Sequence, residues 1–316
     1  MIRAVLALLM VVLAGPAGAQ DYPQRPIRFV IGFAPGGSSD LVSRLVGQKL
    51  SERLGQPVIM EQKQGASGVI AQDIVAKAPP DGHTMVLLTG GHPVSAVTMK
   101  LPYDPVRGFS MVSVVTSYPF VVAVAPGSPL KTMADLVARA RSDAPALTYA
   151  MSGPGSVHNL LGELINIEAG IGMVGVSYRG AAQALIDLTT GRVDVMVETA
   201  TFSFEKIRGG EMRALGLSAP TRYPLMPDVP AIAETLPNVE VNSWLGLAVA
   251  PGTPPATVDR LNREVRGIVE LPDVRQRLAE FGGVPTPTTP DEMRARIEHE
   301  IERWRRVVTL KHIEVQ

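Results

Sequence analysis

Short β-branched runs take turns with longer stretches of helical periodicity along this chain, and no other feature constrains its fold as tightly. "IRFVIG" is followed by a helical pattern at 39–54, "PVIMEQ" by one at 68–78, "SVVTSYPFVVAVA" by one at 132–142, "LTYAM" by one at 156–169, "GVSY" by one at 180–190 and "VDVMVE" by one at 202–209. "HTMVLLT" reads as a further strand. Strands alternating with helices predict parallel sheets covered on both faces, an α/β class whose ligands sit beyond the carboxyl ends of the strands. The 316 residues suffice for two such domains, at about 100 to 200 residues each.

Two segments echo each other: "VAVAPGSPL" at 122–130 and "LAVAPGTPP" at 247–255, each an apolar strand ending in a Pro-Gly turn with a helical pattern behind it. Such turns recur by chance. If the echo has structural meaning, the two are strands by which the chain leaves one lobe and returns to it, so that 20–123 and 244–316 form lobe 1 and 124–243 form lobe 2. Near the end, "TPDEMRARIEHEIERWRRVV" predicts a solvated amphipathic helix with Thr289 as its N-cap before Pro290, its Arg303, Arg305 and Arg306 forming a wet face.

At the other end, "MIRAVLALLMVVLAGPAGAQ" places Arg3 before a short apolar run and closes on Ala17-Gly18-Ala19, which predicts a cleaved signal peptide at 1–19 and a mature start at Gln20 or Asp21. The apolar run is shorter than the roughly 20 residues that span a bilayer. No cysteine occurs, which removes disulfides, thiolate metal sites, cysteine nucleophiles and a lipid anchor at the cleavage point. A large exported chain held by its core alone suits a periplasm. Thirty Lys and Arg balance thirty Asp and Glu, so no global field draws the chain to nucleic acid or to an anionic membrane.

Turns rich in glycine and hydroxyl residues follow the predicted strands at "GFAPGGSSD", "TGGHP" and "AMSGPGSVHN", with a shorter one at "SYRGAA". A strand feeding a helix through small residues leaves the first helical N–H groups unpaired, which suits a bound anion. Several such turns on one sheet edge make a polar mouth of N–H and O–H donors fit for a carboxylate. His92 and His158 sit in that mouth as ligand donors or as solvent-facing loop residues. Glu198 ends an apolar run, where it meets a ligand or caps a helix, while Trp244 and Tyr178 are rim aromatics or core.

Other chemistries lack their residues. Neither G-x-G-x-x-G after the first strand nor G-x-x-x-x-G-K-[ST] occurs, which argues against a nucleotide, and no H-x-x-x-H pattern offers a metal site. Ser156 and His158 lie two apart, so they diverge on a starting helix, and the nucleophile elbow G-x-S-x-G is missing. No catalytic residue, cofactor or metal is therefore expected, and an esterase or lyase acting through Ser156 is the weaker alternative.

The stretch "YPQRPIRFVIGFAPGGSSDLVSRLVGQKLSERLGQPVIMEQKQGASGVIAQDIVAKAPPDGHTMVLLT" resembles the opening of the Bug, or tripartite tricarboxylate transporter receptor, family of periplasmic solute-binding proteins. The likeness continues through "LPYDPVRGF", "LTYAMSGPGSVHNLLGEL", "VSYRGAAQALIDLTTGRVDVM", "GEMRALGLSAPTRYPLMPDVPAIAE" and "SWLGLAVAPGTP", and so covers essentially the whole mature chain. It implies a two-lobed periplasmic-binding-protein fold of the Venus-flytrap, type II-like kind, with two crossing hinge strands. It also implies a monomer that closes on a small carboxylic or amino acid and delivers it to a membrane permease of one large and one small subunit.

By the same resemblance, one ligand carboxylate is gripped between Phe33, Ala34, Pro35, Gly36, Gly37, Ser38, Ser39 and Asp40 on one side and Ser152, Gly153, Gly155, Ser156 and His158 on the other. Thr89, His92, Tyr178, Arg179, Gly180, Glu198, Ser243 and Trp244 would complete the pocket. Three departures from the family pattern change its far end: Arg179 where Lys is frequent, Glu198 where Asp is frequent, and His158-Asn159 where a hydroxyl residue and His are usual. The longer Glu198 shrinks the cavity and repels a second carboxylate. The alternative role is an extracytoplasmic sensing subunit that presents a carboxylate to a sensor kinase.

Overall fold

The computed structural model describes residues 22–33, 35, 38–142 and 145–313; the expected signal peptide, and Ala34, Gly36 and Gly37 of the first glycine turn, lie outside the described residues. In chain order the elements are β1 (Ile27–Ile31), α1 (Ser38–Leu54), β2 (Val58–Gln62), a 3-10 turn (Ala66–Gly68), α2 (Val69–Ala76), β3 (Thr84–Thr89), α3 (Gly91–Thr98) and β4 (Ser110–Val124). Then come α4 (Met133–Ala140), β5 (Thr148–Met151), α5 (Val157–Ala169), β6 (Val174–Ser177), α6 (Ala181–Thr189), β7 (Val195–Thr199), α7 (Ala200–Arg208) and β8 (Arg213–Leu217). The chain finishes with β9 (Asn242–Val249), α8 (Pro255–Val269), α9 (Pro272–Glu280), β10 (Val284–Pro285) and α10 (Pro290–Leu310).

The strands run in the order β2-β1-β3-β9-β4-β7-β5-β6, with β8 and β10 also on β4. Where the alternation predicts parallel strands, the sheet is mixed. β1 is parallel to β2 and β3, and β5 to β6 and β7, whereas β9 is antiparallel to both β3 and β4, and β4 to β7. Strand direction is decided by where the chain re-enters the sheet, which periodicity does not record.

β4 is the common member of two half-sheets. Its 15 residues reach about 50 Å. Ser110 to Pro119 pair with β9, and Phe120 to Ala123 pair with β7. Pro119 sits at the change of partner, where the missing N–H costs the ladder least. Ser218 fastens the crossing: its N–H donates to Phe120 O (2.9 Å), its Oγ accepts the Phe120 N–H (2.8 Å), and its hydroxyl donates to Val241 O.

Helices cover both faces of each half, giving two lobes. Val46, Leu50, Leu261, Val265 and Leu278 pack on Phe29, Leu87 and Val115, and Ala71, Val75, Met293 and Ile297 pack on the opposite face around Val86, Met111 and Trp244. In the other half, Leu136, Leu160 and Ile165 pack on Val122, Tyr149 and Val195, and Ala184 and Leu188 on Val121, Ala150 and Met196. α10 belongs to both halves: it opens with Thr289 as N-cap in a capping box with Glu292, buries Met293, Ile297 and Ile301 against the first, and ends with Trp304, Val307 and Val308 in the core of the second. The helix is therefore buried along one face, while Arg305 and Arg306 remain exposed as expected.

Candidate functional site

A cleft of about 590 Å³ opens between the two halves at the carboxyl ends of their strands. One wall comes from the first half: Phe33, Ala66, Ser67, Thr89, Gly91, Ser95 and Thr98. The other is the β5–α5 loop, with Ser152, Pro154, Gly155, Ser156, Val157 and His158. No lysine, arginine or carboxylate lines it among the described residues.

The first wall is shaped by a run of left-handed backbone. Gly65, Ala66, Ser67 and Gly68 have φ of 133°, 46°, 55° and 93°. Holding Ala66 and Ser67 there costs on the order of 1 kcal/mol each, a strain that tends to gather at ligand sites. The run is seated on the end of β1, where a Cβ on Gly32 would lie 2.6 Å from Gly68 Cα. Gly32→Ala is thus expected to push the loop into the cleft, cost about 1–3 kcal/mol in urea unfolding and weaken ligand binding at least tenfold. Gly127→Ala, which meets open space, is the neutral comparison.

α3 continues that wall. Thr89 ends β3 and accepts the Gly91 N–H on its Oγ1 at 3.1 Å, and the Gly90 N–H donates to Trp244 O at 2.9 Å, which fixes the helix start against β9. One face of α3 then offers Gly91, Ser95 and Thr98 to the cleft.

Across the cleft, the loop before α5 uses Gly153 and Gly155 at φ 130° and 70° to turn the chain. Ser156 caps the helix: its Oγ accepts the Asn159 N–H at 3.2 Å while its hydroxyl donates to Gly153 O at 2.6 Å, and Asn159 Oδ1 takes the Gly155 N–H at 3.0 Å. The next two N–H groups, of Val157 and His158, meet no acceptor among the described residues. They stand at the positive end of a 13-residue helix. Ser156 is turned to its own backbone, and His158 pairs instead with Ser152, Oγ to Nδ1 at 2.8 Å.

Behind His158, its Nε2 lies 3.2 Å from Glu198 Oε1, which also accepts the Thr199 N–H (2.7 Å) and hydroxyl (3.0 Å). Burial pushes the Glu198 carboxyl up, yet the His158 imidazole and Thr199 together outweigh it and hold the group below its ordinary range. Glu198 shares a small side recess of about 20 Å³ with Ser152, Tyr178 and Gly180 rather than lining the main cleft. The Tyr178 hydroxyl donates to Asp187 at 3.1 Å. Arg179 and Gly180 are exposed, and Arg179 forms no ion pair among the described residues. Near the crossing, the buried Tyr118 hydroxyl bonds with Ser243 and Ser38, and burial raises it above its usual range.

Other expected contributors lie outside the main cleft. His92 is fully buried, bonded through Nδ1 to the Gln72 side chain (2.8 Å) and through Nε2 to Pro105 O (2.7 Å), and burial pushes it down to about 4. Trp244 is fully buried, its Nε1–H donating to both oxygens of Glu300. Asp40 is buried in the first turn of α1, where Arg44 (3.0 Å) and Gln62 (2.8 Å) engage its carboxylate. Ser39 is buried too, its carbonyl accepting the Ser43 hydroxyl, and Pro35 is exposed. Conversely Ala66, Ser67, Ser95 and Thr98 line the cleft without belonging to the set that the resemblance implies. The sequence cue for the first two was "GASG", small residues bracketed by glycines ahead of a helix.

Residues 42–313 match the family model described as tripartite tricarboxylate transporter family receptor. Among solved structures, Rpa4515 from Rhodopseudomonas palustris with adipate superposes with a TM-score of 0.79 at 32% identity, covering 93% of this chain and 99% of that one. MatC from the same organism with bound malate gives 0.75 at 34%, covering 91% and 100%, and the periplasmic binding protein BugD gives 0.76 at 27%, covering 93% and 100%. With its two lobes, its cleft of neutral donors and this match over most of its length, the chain belongs to the tripartite tricarboxylate transporter receptor family, whose members bind solutes and are not enzymes.

Proposed function

We propose that this protein is a periplasmic receptor that captures a small carboxylate between its lobes, lobe 1 being 20–123 with 244–316 and lobe 2 being 124–243. It acts as a monomer, exported by its N-terminal segment, and delivers the acid to a permease of one large and one small subunit. The observation that carries the reading is that the N–H groups of Val157 and His158, two residues lining the cleft, meet no acceptor among the described residues, and that no lysine or arginine among those residues lines it. Hydroxyls of Ser67 and Ser95 add donors from the first wall. Each hydrogen bond to a desolvated carboxylate is worth about 1.5–3 kcal/mol, so three of them with apolar contact from Phe33 and Val94 reach about micromolar affinity. The adipate and malate carried by the two relatives support this ligand class. Closure follows from the acid binding the closed state more tightly than the open one.

A thermal-shift panel of mono- and dicarboxylates, amino acids, amines and sugars tests the reading. At about 100 times Kd a bound acid adds about 2.7 kcal/mol, a rise of several degrees. Stabilisation by amines or sugars, with every carboxylate inert, would overturn it.

A further inference from the structure

The row Ser152, His158, Glu198 carries chemistry that a simple carboxylate grip leaves unused. Glu198 is ionised, and an ionised carboxylate only accepts, so the Nε2 of His158 that faces it carries a proton. The other ring nitrogen, Nδ1, then decides what Ser152 can do at 2.8 Å. On a neutral ring Nδ1 is a lone pair, and Ser152 commits its single hydroxyl proton to it. The cleft then meets only the lone pairs of Oγ. On an imidazolium, Nδ1–H donates to Oγ, and the hydroxyl proton is free to turn into the cleft.

We propose that His158 sets the hydrogen-bonding polarity of Ser152, so that capture of an ionised carboxylate at Ser152 takes up one proton from solvent onto His158. With His158 neutral, the same spot favours a ligand hydroxyl or ammonium instead. This rests on the carboxylate reading above and deepens it by naming what selects acid over other solutes. The anion's own charge, brought close to the ring, favours the imidazolium further.

The surroundings leave this exchange to His158. Phe120 on β4 stacks edge-on against the ring, with centroids 5.2 Å apart at 87°. From β7 come Glu198 and Thr199. Tyr118 on β4 lies within electrostatic reach of Glu198, and burial keeps its hydroxyl protonated. Tyr178, bonded to Asp187, shares the side recess with Glu198, Asp187 itself is paired with Arg192 at 3.0 Å, and Arg179, next to Tyr178 in the chain, is exposed. The opposite wall presents Phe33, Ser67, Thr89, Ser95 and Thr98, none of which titrates.

Calorimetric titration of the mature protein with adipate and with malate, at pH 8 in Tris and in Hepes, reads the proton directly because the two buffers differ in ionisation enthalpy. The expected result is a buffer-dependent enthalpy matching uptake of up to one proton, and an affinity that falls as pH rises. His158→Gln, whose amide donates at every pH, should bind with no dependence on buffer or pH. Glu198→Gln, which removes the imidazolium's counter-charge, should move the fall in affinity to lower pH. Acid binding without proton uptake, or uptake that survives in His158→Gln, overturns the inference and leaves the receptor reading intact. If neither these acids nor any acid of the panel binds even at pH 5.5, the receptor reading fails and the inference with it.

Discussion

Replacing Trp304 with alanine is expected to lower the free energy of unfolding by about 3–5 kcal/mol, the cost of emptying a large aromatic site in a packed core. Trp304 is only 2% exposed and packs in the cluster that holds Leu164, Ile165 and Val239, whereas Met293 and Ile297, earlier on the same helix, are buried against the other half. The 21-residue helix spans about 32 Å, so its last turns reach into the second lobe only if that contact is kept. Losing the indole therefore weakens one core and loosens a tie between two. Differential scanning calorimetry should give a melting temperature lower by about 10 °C and a broadened transition as the halves uncouple. Arg305→Ala, on the exposed face one residue along, should stay within about 0.5 kcal/mol of the parent. A Trp304 variant as stable as Arg305→Ala would mean that the helix end does not hold the second lobe.

Acidification from pH 6.5 to 4 is expected to cost about 3 kcal/mol through His92 alone. Burial holds this ring at about 4 in the folded protein against an ordinary value of 6.5. Between those values the unfolded chain binds a proton that the folded one refuses, so stability is full above pH 6.5 and declines as pH falls toward 4, at about 1.36 kcal/mol per unit. His92 lies in α3, whose Ser95 and Thr98 line the cleft, so the same acid step also loosens a wall of the site. Urea unfolding across pH 4 to 7 should show the slope in the parent and a flatter profile in His92→Gln. Equal slopes in both would assign the acid sensitivity elsewhere.

The α/β class was legible because the strand runs are short, β-branched and separated by helical periodicity, and the cap at Thr289 because a threonine ahead of Pro290 and Glu292 has few other uses. The Ser152–His158 turn was legible for a similar local reason, glycines before a helix start. The orientation of His92 was not: "TGGHP" reads as a loop, yet pairing of β3 with β9 pins the helix start and rolls the imidazole inward against Gln72. Trp244 misled for the same reason, since on a strand of alternating faces its neighbour Ser243 approaches the site while the indole points to Glu300. Ser95 and Thr98 gave no signal because hydroxyls in an eight-residue helix look like any polar face until the opposite lobe is present.

β9 lies between β3 and β4, two strands that are consecutive in the chain but do not touch. The gap between them stays open until a segment from beyond the entire second lobe arrives to fill it. Early assembly therefore has a vacant slot with two unsatisfied strand edges, and its closure waits on contacts of very long sequence separation, the slowest kind to find. Refolding should accordingly pass through a state in which one half is native and the other is still unzipped along that slot, the point at which a foreign strand would most readily intrude.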